Sequence, residues 1–310
     1  MIYNVGSINI DHVYRVPHLV RPGETLSSRS YRQVLGGKGA NQTIAIARAG
    51  ADVAHIGAIG HQDAWVTQAL ATAGAHIDDI AHCQDLLSGH AIIQVDDAAE
   101  NSIVLFHGAN GAMPLDTVTT PLSRGTASDW LLVQNECAHL KEALEQAHRQ
   151  GMSIAFNPAP MTAEVARLSL DGVSLLFVNE GEAIDLLAAR EGVDDAQVRS
   201  DCATPEALMA RLHRHFPSCA CVLTLGSKGA LYSDGHVQLS REAYKVNAVD
   251  TTAAGDTFVG YFMAATVRGA TPQQALEEAV AAAALCVQQE GASSSIPARK
   301  EVVALLEATR

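Results

Sequence analysis

The sequence predicts an α/β fold, a three-layer αβα sandwich whose mostly parallel central sheet carries helices on both faces and a small β lid. Three observations predict it. Short apolar runs alternate with helical patterns almost from end to end, as in parallel strands joined by crossover helices. Several helical stretches stop at glycine, at Gly50, Gly74 and Gly151, the residue that takes a left-handed C-terminal cap most easily. Two segments, residues 12–35 and 89–107, break the alternation with paired extended runs.

Taken in order, strands are expected at Tyr3–Ile8, Val53–Ile59, Trp130–Gln134, Ser153–Phe156, Leu175–Val178 and Cys221–Leu225. Helices are expected between them at Gln42–Ala49, Ala64–Ala73, Leu140–Arg149, Glu182–Arg190 and Pro205–His215. In residues 12–35, extended stretches around Val13–Val16 and Ser30–Leu35 are joined through Pro22-Gly23. Residues 89–107 read as a hairpin, Ala91–Val95 and Ser102–Phe106, around the polar run Asp96–Asn101. Both segments would project from the sheet's ligand edge, as a lid over a site or a surface for a second subunit; ordinary edge strands explain them too. The last third is helical at Phe258–Arg268, Pro272–Gln289 and Arg299–Ala308. With no repeat or linker, 1–310 reads as a single domain with a lid.

Composition narrows the function. At 310 residues and 48% apolar content, the chain can bury a large core. Its net charge of −13 offers no basic footprint, so nucleic acid and anionic membranes are not expected partners. No apolar run is long enough to span a bilayer, and Met1–Gly6 begins like a buried strand rather than a signal peptide. The Cys219-Ala220-Cys221 pair lacks a second pair to complete a zinc set. Reduced, buried thiols and a cytoplasmic location are therefore expected.

Two motifs carry chemistry. Gly36-Gly37-Lys38-Gly39-Ala40-Asn41 opens a helical pattern but has neither Walker A nor dinucleotide-fingerprint spacing. A tight turn would explain its glycines; Lys38 and Asn41 among them suit a small polar ligand. In Asp250–Phe258, Ala253, Ala254 and Gly255 would open a helix with unpaired N–H donors, and Asp256 would lie in its first turn. Capping alone would explain Asp256, but not the run from Asp250 to Gly255. Small residues that admit an anion, beside a carboxylate able to take a proton, point to phosphoryl transfer to an alcohol.

These motifs resemble the two signatures of the ribokinase family, within the PfkB-type carbohydrate kinases. Further segments match in order over nearly the whole chain: Gly6–Asp11, Pro22–Thr25, His107–Asn110, Asn157–Pro160 and Thr224–Gly229. The resemblance implies a ribokinase-like sandwich and ATP-dependent phosphorylation of D-ribose at its 5-hydroxyl. It implies that Asn9, Asp11, Gly37, Lys38, Asn41 and Glu136 hold the sugar, with Asp256 as general base. The N–H groups of Ala253 through Asp256 would form an anion hole. Asn179, Thr224, Gly226, Ser227 and Gly229 would bind ATP, and Glu182 would organise Mg²⁺ indirectly. A monovalent cation, K⁺, would lie near Asp250, Thr252, Gly291 and Ser295, and a homodimer would form through paired lids.

The sequence also departs from the family pattern. Gly60-His61-Gln62-Asp63-Ala64-Trp65 has its Asp one place late and Trp65 where a second Gly is usual. Val178 stands where a Pro is frequent before Asn-x-x-Glu, and Gly291–Ser295 lacks the Pro frequent before its last Ser. Alternatives remain: a kinase of the same family for deoxyribose, a ketohexose or adenosine, or a non-catalytic sugar- or nucleotide-binding regulator. Retention of Asp250 and Asp256 argues against the regulator. The absence of Gly-x-Gly-x-x-Gly after the first strand argues against a dehydrogenase.

Overall fold

The computed structural model describes residues 1–98 and 100–309; Ala99, within the expected Asp96–Asn101 connection, and Arg310 lie outside the described residues. Thirteen strands are described: β1 Ile2–Val5, β2 Asn9–Arg15, β3 Ser30–Gly36, β4 Val53–Gly60, β5 Ile80–Cys83, β6 Gly89–Val95, β7 Asn101–Phe106, β8 Trp130–Gln134, β9 Ser153–Asn157, β10 Val173–Asn179, β11 Ala220–Thr224, β12 Ala230–Ser233 and β13 Gln238–Arg241. Nine form a central sheet in the order β13-β12-β11-β10-β9-β8-β1-β4-β5. All of its pairings are parallel except β11–β12 and β12–β13.

Alternate strand residues enter two cores, one on each face, as a sheet covered on both sides requires. On one face Ile2, Leu132, Ala155, Phe177 and Val222 pack against the helices Lys38–Arg48, Ala254–Val267 and Pro272–Cys286. On the other Tyr3, Val5, Leu131, Val133, Phe156 and Val178 meet Leu140–Arg149, Glu180–Glu191 and Pro205–His215. The chain is thus the three-layer sandwich expected, and Gly50, Gly74 and Gly151 all have positive φ.

The smaller sheet has the order β3-β2-β6-β7. Its β2 pairs antiparallel with β3 and parallel with β6, and β6 pairs antiparallel with β7. Several boundaries differ from expectation by a few residues, and one difference bears on the site: the first strand, expected at Tyr3–Ile8, leaves the central sheet after Val5. Gly6 makes the break. An ideal Cβ there would stand 2.5 Å from Cα of Gly39, so the start of the Lys38–Arg48 helix occupies the space a side chain would need. The chain re-enters extended structure at Asn9, now in the smaller sheet.

The strand order also fixes where a ligand can sit. From β1 the sheet grows first toward β4 and β5, then restarts on the opposite side at β8. Open α/β sheets hold ligands beyond the carboxyl ends of the strands at such a reversal.

Candidate active site

At that reversal the residues after β1 and β8 meet. The Ser7 hydroxyl donates to Glu136 Oε2, and the Lys38 N–H donates to the same oxygen at 3.2 Å. Ser7 also accepts at its carbonyl from the Ala40 N–H, 2.8 Å away. Gly37, with φ +92, caps the helix, and an added Cβ would lie 2.9 Å from both the Asn9 nitrogen and the Ser7 carbonyl oxygen. The glycine motif thus packs its backbone directly against the turn after β1.

Asp256 lies in the first turn of Ala254–Val267. Its Oδ2 accepts from Asn41 Nδ2 at 2.9 Å and its Oδ1 from Gln42 Nε2 at 3.0 Å. Burial pushes its carboxyl up to about 6, against the opposing pull of Lys38 and the two amides. Burial works against the Lys38 ammonium, but Asp256, Glu136 and Glu182 together hold its pKa above the ordinary value. Asn41, expected on the sugar, is engaged with the carboxylate, because both project from neighbouring helices that pack together; its Oδ1 is buried without a partner among the described residues.

Asn9 opens β2, and Asp11 follows two residues on. Asn9 Oδ1 accepts from Asn110 Nδ2 at 2.8 Å, which fixes the amide and leaves its NH₂ as the free end. Burial, with Glu136 nearby, raises the Asp11 carboxyl to about 6. Asp11, Glu136, Lys38 and Asp256 thus share one electrostatic neighbourhood.

On the other side, two cavities adjoin. The first, about 190 Å³, is lined by Lys38, Asn157, Asn179, Glu182, Ala253 and Asp256 among others. The second, about 360 Å³, is lined mainly by apolar groups including Tyr244, Val246, Phe258, Val280 and Val287, with Gly226, Ser227 and Gly229. Asn179, Thr224 and Gly255 line both. The polar chamber suits phosphates and the apolar one a nucleobase.

Asn179 and Glu182 form a capping box: Asn179 Oδ1 accepts the Glu182 N–H and Glu182 Oε2 accepts the Asn179 N–H, both at 2.9 Å. Local capping and cavity lining coexist, since the cap sits at the carboxyl end of β10.

The anion-binding turn is only partly as expected. Ala253 has φ +63, a left-handed conformation that costs a residue with a Cβ and recurs at functional turns. The N–H groups of Gly255 and Asp256 have no acceptor among the described residues. The Ala254 N–H, expected to face an anion, instead donates to the Thr251 carbonyl at 3.3 Å, closing the turn.

Asp250 ties two segments together, Oδ1 accepting from the Thr252 N–H at 2.9 Å and Oδ2 from the Gly291 N–H at 3.0 Å. Burial opposes its charge, yet Thr252, Gly291 and Arg32 hold the carboxyl below the usual carboxylate range. Ser295 is buried with its hydroxyl between the Ala292 carbonyl and Cys286 Sγ, so it has only its backbone oxygen to offer a cation. Among the described residues no group of three or more His, Cys, Asp and Glu is arranged to hold a metal ion.

Sequence reasoning missed the polar residues behind the site: Asn4, Gln42, Gln134 and Asn157, all buried and hydrogen-bonded to one another. A signal was present, an amide in each of three largely apolar strands. It carries meaning only if the strands are adjacent. Asp63, the displaced acid of the altered Gly60–Trp65 segment, accepts the Ser88 hydroxyl at 2.6 Å, while Trp65 is exposed at the start of its helix.

Comparison with known proteins identifies the family and the fold. Residues 1–299 match the pfkB family of carbohydrate kinases. The chain is 37% identical over 308 residues to a ribokinase of Haemophilus influenzae, covering 98% of this chain and 97% of that one. It is 34% identical to a ribokinase of Schizosaccharomyces pombe, covering 96% and 95%. Among solved structures it resembles a ribokinase from Cryptococcus neoformans in complex with ADP, with TM-score 0.83, 37% identity and coverage of 98% and 99%. It also resembles an Arabidopsis thaliana ribokinase complexed with ribose and ATP, with TM-score 0.83, 27% identity and coverage of 99% and 98%.

Proposed function

Because this chain belongs to the pfkB family of carbohydrate kinases, we propose that it transfers the γ-phosphoryl group of ATP to O5 of D-ribose. The observation that carries the reading is the setting of Asp256: a carboxylate held by two amides, beside Lys38, at a helix start whose N–H groups at Gly255 and Asp256 have no acceptor among the described residues.

In this reading Asn9, Asp11, Gly37, Lys38 and Glu136 hold the sugar, and Asn41 contributes through Asp256. Asp256 takes the O5 proton as the bond to phosphorus forms. The N–H groups of Ala253, Gly255 and Asp256 receive the charge growing on the phosphoryl oxygens. Thr224, Gly226, Ser227, Gly229 and Asn179 hold the nucleotide. The lid segments near 12–35 and 89–107 of the single domain, which carry most of the smaller sheet, close and exclude water.

ATP brings Mg²⁺, which neutralises phosphate oxygens, and the oxygen donors of Asn179 and Glu182 suit its water shell. A monovalent cation would sit beside the anion-binding turn, with the oxygens of Asp250 and Thr252 and the backbone oxygens around Gly291 and Ser295 as its donors; the bonds by which Asp250 joins the two segments support this. A homodimer through the smaller sheets and a cytoplasmic location complete the proposal. The first is supported by the exposed apolar side chains of β7 and the second by six free cysteines.

ADP release with Mg-ATP and K⁺ across ribose, 2-deoxyribose, fructose and adenosine tests the substrate; selective turnover of ribose is expected. Asp256→Asn should lower kcat by about 10²–10⁴-fold with the fold intact, the range for a lost general base. Near-normal turnover would remove Asp256 from that role.

A further inference from the structure

Behind Asp256 runs a chain of buried hydrogen bonds whose direction is determined throughout. The Gly6 carbonyl can only accept, so His55 Nε2 donates to it at 3.1 Å and His55 Nδ1 accepts from Thr43 Oγ1 at 2.7 Å. Thr43 Oγ1 then takes Asn4 Nδ2 at 2.8 Å, and Asn4 Oδ1 takes Gln134 Nε2 at 2.9 Å. The second hydrogen of Gln134 goes to Gln42 Oε1 at 2.7 Å. With its oxygen occupied, Gln42 turns its NH₂ to Asp256 Oδ1 and Asn157 Oδ1, each at 3.0 Å. Asn157 is itself oriented by donating to the Phe177 carbonyl at 3.1 Å. His55, Thr43, Asn4 and Gln42 have no solvent exposure, Gln134 has 2% and Asn157 9%, so the chain is largely shielded from water up to Asp256. Burial pushes the His55 imidazole down to about 4, so the chain carries no charge at neutral pH.

We infer that Gln42 is a positioning residue for phosphoryl transfer, holding Oδ1 of Asp256 with an amide hydrogen whose direction is imposed by Gln134 and Asn157. The inference rests on Asp256 acting as the base. Rotating the Gln42 amide would set its oxygen against the carboxylate and against Asn157 Oδ1 while leaving Gln134 facing an NH₂ group. Three bonds would be lost together, in a setting where unmet buried polar groups are costly. The carboxylate is therefore held in one rotation and kept ionised, at the place where a hydroxyl must meet it.

The test is Gln42→Met, which keeps length and volume but removes donor and acceptor. Without the donor the ionised carboxylate loses support, so its pKa rises. The acid limb of kcat/KM for ribose should move up by about one pH unit, and kcat should fall about tenfold, the scale of one hydrogen bond to a charged group. KM for ATP should stay within about twofold of wild type. Gln134→Met, which removes no bond to Asp256, should move the limb in the same direction by less. The double variant should resemble Gln42→Met alone, since both act along one path.

An unmoved acid limb in a folded Gln42→Met protein, with Asp256→Asn inactive, overturns the inference, because lost turnover then reflects structure only. Turnover surviving in Asp256→Asn would instead remove the base on which the inference rests. Should Gln42→Met fail to fold, Gln134→Met decides on the same readout.

Discussion

The Asp11 carboxylate occupies the space a side chain on Gly36 would fill: an ideal Cβ there stands 2.1 Å from Oδ2 and 2.5 Å from Cγ. Asn9 and Gly36 are register partners across β2 and β3, so the last residue of β3 leaves the acid room beside the expected sugar site. Gly36→Ala should displace Asp11. KM for ribose is expected to rise about tenfold or more, the effect of losing a hydrogen bond to a charged group, with KM for ATP little changed. Equal loss on both substrates would show a wider disturbance of the Lys38–Arg48 helix instead.

Asp11 and Asp256 both have carboxyls raised from 3.8 to about 6, in each case first by burial. Between those values the folded protein binds protons that the unfolded chain has released, so stability falls as pH rises through that window. Catalysis needs the opposite, an ionised Asp256, so kcat/KM should rise through about pH 6. Asp256→Asn is therefore expected to melt higher than wild type at pH 7, with the gap closing below about pH 4. Asn41 can rotate to meet the new amide with its unpaired oxygen. Thermal melts at pH 4, 5, 6 and 7 check this, and a variant less stable at every pH would contradict it.

Asp250 links the segment before the Ala254–Val267 helix to Gly291 through two N–H groups. Replacing K⁺ by a bulky organic cation should lower kcat in the wild type, and Asp250→Ala should lower kcat and erase most of that response. Steady-state rates in the two salts decide. An Asp250→Ala protein that still responds to K⁺ as wild type does would move the cation elsewhere.

Strand β7 exposes Ile103 at 56%, Val104 at 65% and Phe106 at 48%, more apolar surface than an edge strand usually leaves open. If this sheet pairs with its copy, Val104→Lys should shift the protein from dimer to monomer. Light scattering at micromolar concentration reads the mass directly; a wild-type monomer there would refute the pairing.

Much of the fold was legible because its signals are local. Leu140–Arg149, Pro205–His215 and Arg299–Ala308 have the boundaries their sequence pattern indicates, since apolar spacing and end residues act within a few turns. The short strands β5, β12 and β13 were not read, for each is only four residues long and lies at or next to an edge of the sheet. The glycines at 36, 37 and 39 and the small residues before Asp256 were legible as turns that admit a ligand, because backbone geometry there depends on the residues themselves.

By itself, then, the sequence determined the alternating elements, the two motif-bearing turns and the acid in the first turn of Ala254–Val267. Only the tertiary structure decided that Asn41 and Gln42 grip Asp256, across 215 and 214 positions, and that Gln134 and Asn157 orient Gln42. The reason is physical. A turn is set by neighbouring dihedrals and small side chains, whereas a buried amide must find its partners wherever the packed sheet brings them. Asn4, Gln134 and Asn157 lie far apart in the chain and meet only because β1, β8 and β9 are adjacent strands.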